Sequence, residues 1–359
     1  GRRLRQRGLL VAGLLGAVMI LLQGAIGAVA FHVMDSTPEV LEHARSYFAI
    51  RIWAAPATLS LMVVQGWFLG VQNARTPMLL TVAVNLLNIL ASLGFVMFAG
   101  MDSDGVAWGT LAAQYCGVLL GLLMLRSFFS EGSGGRFSLE SGLLETQGLK
   151  RFFQVNRDIL IRTLALITVF TFFTMASAQM GEDILAANSL LLQLWMLVSF
   201  AIDGFANAGQ GLVGRYTGGR DTSALRRCVG LLILWAAGIG VVFALVYGWS
   251  GEWLLHQFTR HEEIVALASV YLPWLTLGAL LNLFAFIWDG IFLGATATRV
   301  MRNAMLLCTA GFFGMYLLFQ PLWFNHGLWL ALTTFMILRG ASLTWLAPGH
   351  ILGSRPRSW

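Results

Sequence analysis

The sequence predicts an all-α polytopic membrane protein built as two lobes of packed helices. Three observations carry this: the composition, a series of apolar stretches of membrane-spanning length, and a short motif that occurs twice. Hydrophobic residues make up 57% of the 359 and charged ones 11%, whereas a soluble domain is roughly half apolar and a quarter charged. Mean hydropathy is +0.74. The 13 Trp and 25 Phe suit lipid-facing and interfacial surfaces.

Ten stretches are long enough to cross a hydrocarbon core of roughly 30 Å as helices: residues 9–31, 50–70, 78–98, 105–128, 159–178, 184–207, 228–247, 265–292, 304–322 and 327–346. Their connections alternate in charge. Arg2, Arg3, Arg5 and Arg7 precede the first stretch, and the connection after it carries Asp35 and Glu39 with Arg45 and Arg51. Arg75 follows the second stretch, and Asp102 and Asp104 follow the third. Arg126, Arg136, Lys150, Arg151 and Arg157 collect after the fourth, Glu182 and Asp183 after the fifth, and Arg215, Arg220, Arg226 and Arg227 after the sixth. The seventh leads to Glu252, Glu262 and Glu263 with Arg260; the eighth leads to Arg299 and Arg302; Arg355 and Arg357 close the chain. The positive-inside rule makes the basic side cytoplasmic and places both ends of this chain there. The formal net charge of +6 is therefore a topology signal, and nucleic acid is not an expected partner.

The connection over 130–158, "SEGSGGRFSLESGLLETQGLKRFFQVNRD", begins rich in Gly and Ser and ends amphipathic, as a linker between two bundles would. This divides the chain into an N-terminal lobe (1–128), a cytoplasmic linker (129–156) and a C-terminal lobe (157–359). The lobes share a motif. "VQGWFLGVQNAR" (64–75) aligns with "WDGIFLGATATR" (288–299) at Gly66/Gly290, Phe68/Phe292, Leu69/Leu293, Gly70/Gly294 and Arg75/Arg299, and Ala44/Ala268 and Tyr47/Tyr271 keep the same offset. Internal repeats of this kind mark transporter folds. The first four helices match the last four, leaving 159–178 and 184–207 without partners in the first half. With Gly1 followed by a basic segment, the chain is expected to be an N-terminally truncated form of a six-plus-six arrangement, inactive alone.

The segments "GWFLGVQNARTP" (66–77), "NRDILIRTLAL" (156–166), "AIDGFANA" (201–208), "DGIFLGATATRVMRNAM" (289–305) and "LWLALTTFMILRGASL" (328–343) resemble the multidrug and toxic compound extrusion (MATE) transporters, in particular their DinF-like branch. The resemblance implies a two-lobed MATE-type fold of twelve helices, about ten of them present here. It also implies a secondary active efflux transporter of a bacterial inner membrane. Such a protein exports amphipathic, often cationic compounds by antiport with protons or sodium, alternating access between its lobes as a monomer without a cofactor.

Intramembrane acids are functional candidates by default. Asp289 and Asp203 each precede a glycine inside a span. They are expected to couple ion movement to export, because a desolvated carboxylate can pick up and release a proton. Arg157, Asp158 and Arg162 enter the second lobe together. Asp158 and Arg162 lie four residues apart on one helix face, so a structural ion pair is expected between them. Arg339, deeper in the last helix, needs a partner of its own. Gln65, Asn85, Asn88, Asn207 and Asn282 are uncharged polar groups suited to lining a substrate cavity or to interhelical hydrogen bonds.

A lipid-linked oligosaccharide flippase of a related fold is the alternative, and it would want a basic central cavity. The chain offers few intramembrane bases besides Arg162 and Arg339. An intramembrane enzyme would need a metal or nucleophile constellation such as H-E-x-x-H, and the sequence holds none. Cys116, Cys228 and Cys308 stand singly, without metal-ligand spacing. No phosphate-binding loop points to ATP.

Overall fold

The computed structural model of the protein describes residues 2–33, 38–132 and 146–353. Gly1, Asp35, Arg136, Arg355, Arg357 and the linker stretch 133–145 lie outside these residues. Among the described residues every regular element is helical. The chain divides into two compact units, Gly1–Glu145 and Thr146–Trp359.

In the first unit, α1 (Arg2–Leu21) and α2 (Gln23–Val33) form a bent pair turning by 60°. Together they cover the first expected span. Helix α3 (Pro38–Arg51) runs through a single 3-10 turn, Ile52–Ala54, into α4 (Ala55–Gly70). Pro56 sits in the first turn of α4, where its missing N–H would have no helical partner anyway. Helix α5 (Arg75–Ala99) stops at Gly100, whose φ of 64° is left-handed, and α6 (Ser103–Gly132) returns beside it. Leu61, Val64, Phe68, Leu80, Val84, Ala113 and Leu125 form the core of this unit.

The second unit contains α7 (Thr146–Gln179), α8 (Glu182–Gly218), α9 (Thr222–Phe258), α10 (Glu262–Gly294) and α11 (Thr298–His350). Helix α7 starts inside the stretch read as linker, because the amphipathic end of that stretch continues the helical pattern of the span that follows. The first turns of α8 and α10 carry Glu182, Asp183, Glu262 and Glu263, which complement the positive end of the helix dipole. Asp221 caps α9 by accepting from the Ala224 amide at 2.9 Å. That amide and the Ser223 hydroxyl hold the Asp221 carboxyl below its ordinary range. The cap therefore contributes above that range and is lost as pH falls through the depressed value.

Helix α11 is two helices joined across Phe324 (φ 47°, ψ −125°), so its limbs account for the last two expected spans. Among the described residues eight helices are apolar and long enough to cross a membrane, and the bent α1–α2 pair adds a ninth. With the two limbs of α11 counted separately, the ten expected spans are all present.

Helix α10 is the centre of the second unit, packed against α8, α9 and α11. Its last third, Ala285 and Ile287 through Phe292, is buried almost throughout. Lipid-facing side chains such as Trp249, Leu234 and Leu307 are exposed instead, as a protein solvated by hydrocarbon requires.

The two copies of the sequence motif fold alike. After α4, Val71, Gln72 and Asn73 donate their amides to Trp67, Leu69 and Phe68; after α10, Ala295, Thr296 and Ala297 donate to Ile291, Leu293 and Phe292. Gln72 (φ 64°) and Thr296 (φ 54°) occupy the same left-handed position. A non-glycine residue there is uncommon, and the same turn also closes α8, with Arg220 (φ 55°) at the left-handed position.

Candidate functional site

The site grows from a stripe of small residues. Gly290 and Gly294 lie one turn apart on α10, and a Cβ on either would run into the carbonyl of Ala206 or Gln210 on α8. Only glycine lets the two backbones approach this closely, the device that small-xxx-small spacing provides between membrane helices. The approach brings Asp203, one turn before Ala206 on α8, toward Asp289, the residue before Gly290.

Asp289 is clamped. Its Oδ2 accepts from Arg162 Nη2 of α7 and from Arg339 Nη2 of α11, the latter at 2.5 Å. Arg339 is 2% exposed. Its guanidinium lies 5.5 Å from the Phe335 ring centre and 6.0 Å from that of Phe286. The Nε atoms of Arg162 and Arg339 are buried and unpartnered. A buried ion pair broken from one side costs about 3–5 kcal/mol, because the remaining charge is left desolvated and uncompensated. Asp289 therefore holds three helices together as well as carrying a charge.

Asp203 differs. It is half-buried and within electrostatic range of both Asp289 and Arg162. Among the described residues it makes no ion pair or hydrogen bond. The cluster thus holds two carboxylates and two guanidiniums, with both guanidiniums on one carboxylate.

The i, i+4 pair expected between Asp158 and Arg162 does not form. Arg162 turns to Asp289, and Asp158, 2% exposed, takes Arg302 Nη1 from α11 at 2.5 Å and the Thr298 hydroxyl at 3.4 Å. Arg157 stays 3.7 Å from Asp158 with its side chain 58% exposed, an arrangement of little energetic weight. Helix spacing names only the partners along one helix. Arg302 is far from Asp158 in sequence and was not legible as its partner.

The uncharged polar residues divide between the units. In the first, Gln65 donates to Thr81 at 3.1 Å, Asn88 accepts from Ser92 and Thr110 at 3.0 and 3.2 Å, and Asn85 is exposed. In the second, Asn207 is exposed one turn after Asp203. Asn282 is buried, with an unpartnered Oδ1, beside a small cavity lined by Trp195, Leu275 and Phe286. A separate network joins Asn188 of α8 to Ser177, Asn325 and Trp329 at 2.7–2.9 Å, all buried. It pins α7 and α8 to the turn at Phe324. Among the described residues no three His, Cys, Asp or Glu side chains are grouped to hold a metal ion.

Comparison with known proteins fits this architecture. The chain is 38% identical to DNA damage-inducible protein F of Escherichia coli (strain K12) over 91% of its own length and 71% of that protein's. It is 27% identical to Protein DETOXIFICATION 42 of Arabidopsis thaliana over 94% of its own length and 64% of that protein's. With Multidrug and toxin extrusion protein 1 of Homo sapiens it shares 25% over 81% of this chain, which spans 51% of the human protein. Among solved structures, an outward-facing multidrug resistance MATE family transporter superposes with a TM-score of 0.81 at 19% identity, covering 96% of this chain and 77% of that one. A MATE transporter of Vibrio cholerae gives 0.81 at 15%, covering 98% and 83%. The MatE family model matches residues 2–93 and 159–317, and the chain belongs to that family.

Proposed function

We propose that the protein is a secondary active exporter of amphipathic organic compounds, cationic ones among them, driven by antiport of protons or sodium with alternating access between two lobes. The observation that carries this reading is the imbalance in the charged cluster: Asp289 is doubly compensated while Asp203, on the neighbouring helix, has no ion pair. A coupling group has to change its charge or its partner during the cycle. Asp289 cannot do so without uncovering the buried Arg339, so Asp203 is the exchanging carboxylate and Asp289 the anchor. Asn207, one turn further along α8, is placed to meet the polar end of a substrate beside Asp203. The name of the human relative, Multidrug and toxin extrusion protein 1, is in keeping with export of toxic compounds.

The same reading makes this a multi-pass protein of a bacterial inner membrane, monomeric and free of a cofactor, with the Arg75, Arg220 and Arg299 connections on the cytoplasmic side. Asp102→Cys, on a background without the natural cysteines, should react with an impermeant thiol reagent in intact cells, and Arg220→Cys only after permeabilisation.

A lipid-linked oligosaccharide flippase would need bases free to meet a pyrophosphate. Arg162 and Arg339 both lie on Asp289 in the structure, within a cluster that already balances their charge, so neither is free for a pyrophosphate. The discriminating experiment is efflux of a fluorescent organic cation from proteoliposomes under an imposed proton or sodium gradient. Gradient-dependent efflux supports the exporter. Efflux indifferent to both gradients overturns it.

A further inference from the structure

Two carboxylates and two guanidiniums would ordinarily pair one to one, yet both arginines sit on a single oxygen of Asp289. Arg339 reaches it from a fully buried position, between two aromatic rings and with its Nη1 3.1 Å from the Met336 sulfur. It has nowhere else to go. Arg162 has a freer seat, with its side chain 13% exposed, and its long flexible stem can redirect the guanidinium without moving the helix.

We propose that Arg162 is a switching arginine, shared in turn between Asp289 and Asp203. The proposal rests on the reading of Asp203 as the exchanging carboxylate. When Asp203 is neutralised, by a proton or by the cationic end of a bound substrate, it offers Arg162 no attraction, and Arg162 lies on Asp289 as in the structure. When that proton or cation leaves, Asp203 is anionic and has no partner of its own. Arg162 then crosses to it from α7, while Arg339 keeps Asp289 compensated from α11.

The charged groups around Asp203 are Arg162 on α7, Asp289 on α10 and, through Asp289, Arg339 on α11. The exchange leaves none of them uncompensated, so it avoids the penalty of a lone buried charge. Its mechanical effect is to move one strong tie of α7 from α10 to α8. Helix α7 would thereby respond to what Asp203 carries, and Arg162 acts as a positioning residue without touching the transported ion.

The test follows the arginine side chains directly. With Nε of arginine labelled with nitrogen-15 and the full chain in lipid nanodiscs, the Arg162 and Arg339 signals are assigned with the variants Arg162→Lys and Arg339→Lys. Between acidic and alkaline buffer the Arg162 signal should move and the Arg339 signal stay in place. In Asp203→Asn the Arg162 signal should be fixed at its acidic position throughout. An Arg162 signal that is constant in the unmodified protein, or that still moves in Asp203→Asn, overturns the switch. Arg162→Lys keeps the charge and secures a folded comparison: it should reduce gradient-driven efflux about tenfold or more while the protein remains monodisperse, and wild-type efflux would count against the switch. Retention of coupled efflux by Asp203→Asn strikes instead at the exporter mechanism proposed above, so the two failures are distinguishable.

Discussion

Gln65 and Asp289 hold the same place in the duplicated motif, each one residue before the first glycine of a Gly-x-x-x-Gly stripe, and their surroundings differ. In the second unit the glycines of α10 press on the backbone of α8, and Asp289 is bound by arginines from α7 and α11. In the first unit nothing lies within 4 Å of a Cβ built on Gly66 or Gly70, and Gln65 makes one hydrogen bond to Thr81. The turn that follows is the same in both, down to the left-handed residue. The backbone device is therefore common to the two copies, while within this chain the charge chemistry is found at one of them. A carboxylate at that depth is tolerated only where other helices bring cations to it.

The largest difference should come from the two polar residues themselves. Asp289→Ala leaves Arg339 buried without a counter-charge and should destabilise the protein by about 3–5 kcal/mol, read as a drop in thermal stability in detergent and in monodisperse yield. Gln65→Ala should cost about 1 kcal/mol or less, the worth of one exposed hydrogen bond. Similar losses at both positions would erase the distinction. The glycines give a smaller contrast. Gly290→Ala drives a methyl group into the Ala206 carbonyl and should cost about 1–3 kcal/mol through overpacking, whereas Gly66→Ala should stay within about 0.5 kcal/mol. The smallest effect tests where the copies agree. Gln72→Gly and Thr296→Gly each relieve a left-handed conformation at the expense of chain entropy, and both should stabilise by about 0.5 kcal/mol. Opposite signs would mean that the turns are not equivalent.

Much of this architecture is legible in the sequence because the bilayer makes simple demands. Length and apolarity mark the spans, alternation of Arg and Lys orders the connections, and the Gly66/Gly290 and Gly70/Gly294 matches locate the repeat. The last two spans, 304–322 and 327–346, are separated by the break at Phe324, after which the second limb packs back on the first through Phe312 and Phe335. The site was legible in its members but not in its pairings. Asp289, Asp203, Arg162 and Arg339 stand out as charges in apolar surroundings. That Arg162 would leave Asp158 for Asp289 depends on how α7, α10 and α11 pack, and local spacing carries no record of that. The Gly290–Gly294 stripe announces a close helix contact, but not that α8 makes it and so brings Asp203 into the cluster.

The proposed division of labour between the two acids of the second unit has Asp203 exchanging its charge and Asp289 fixed by arginines. It is tested most directly by gradient-driven efflux from proteoliposomes carrying matched amounts of folded Asp203→Asn and unmodified protein. Asp203→Asn should insert and unfold like the unmodified protein but export at a rate that no longer responds to an imposed proton or sodium gradient. Asp203→Asn protein that exports with full gradient dependence would contradict it.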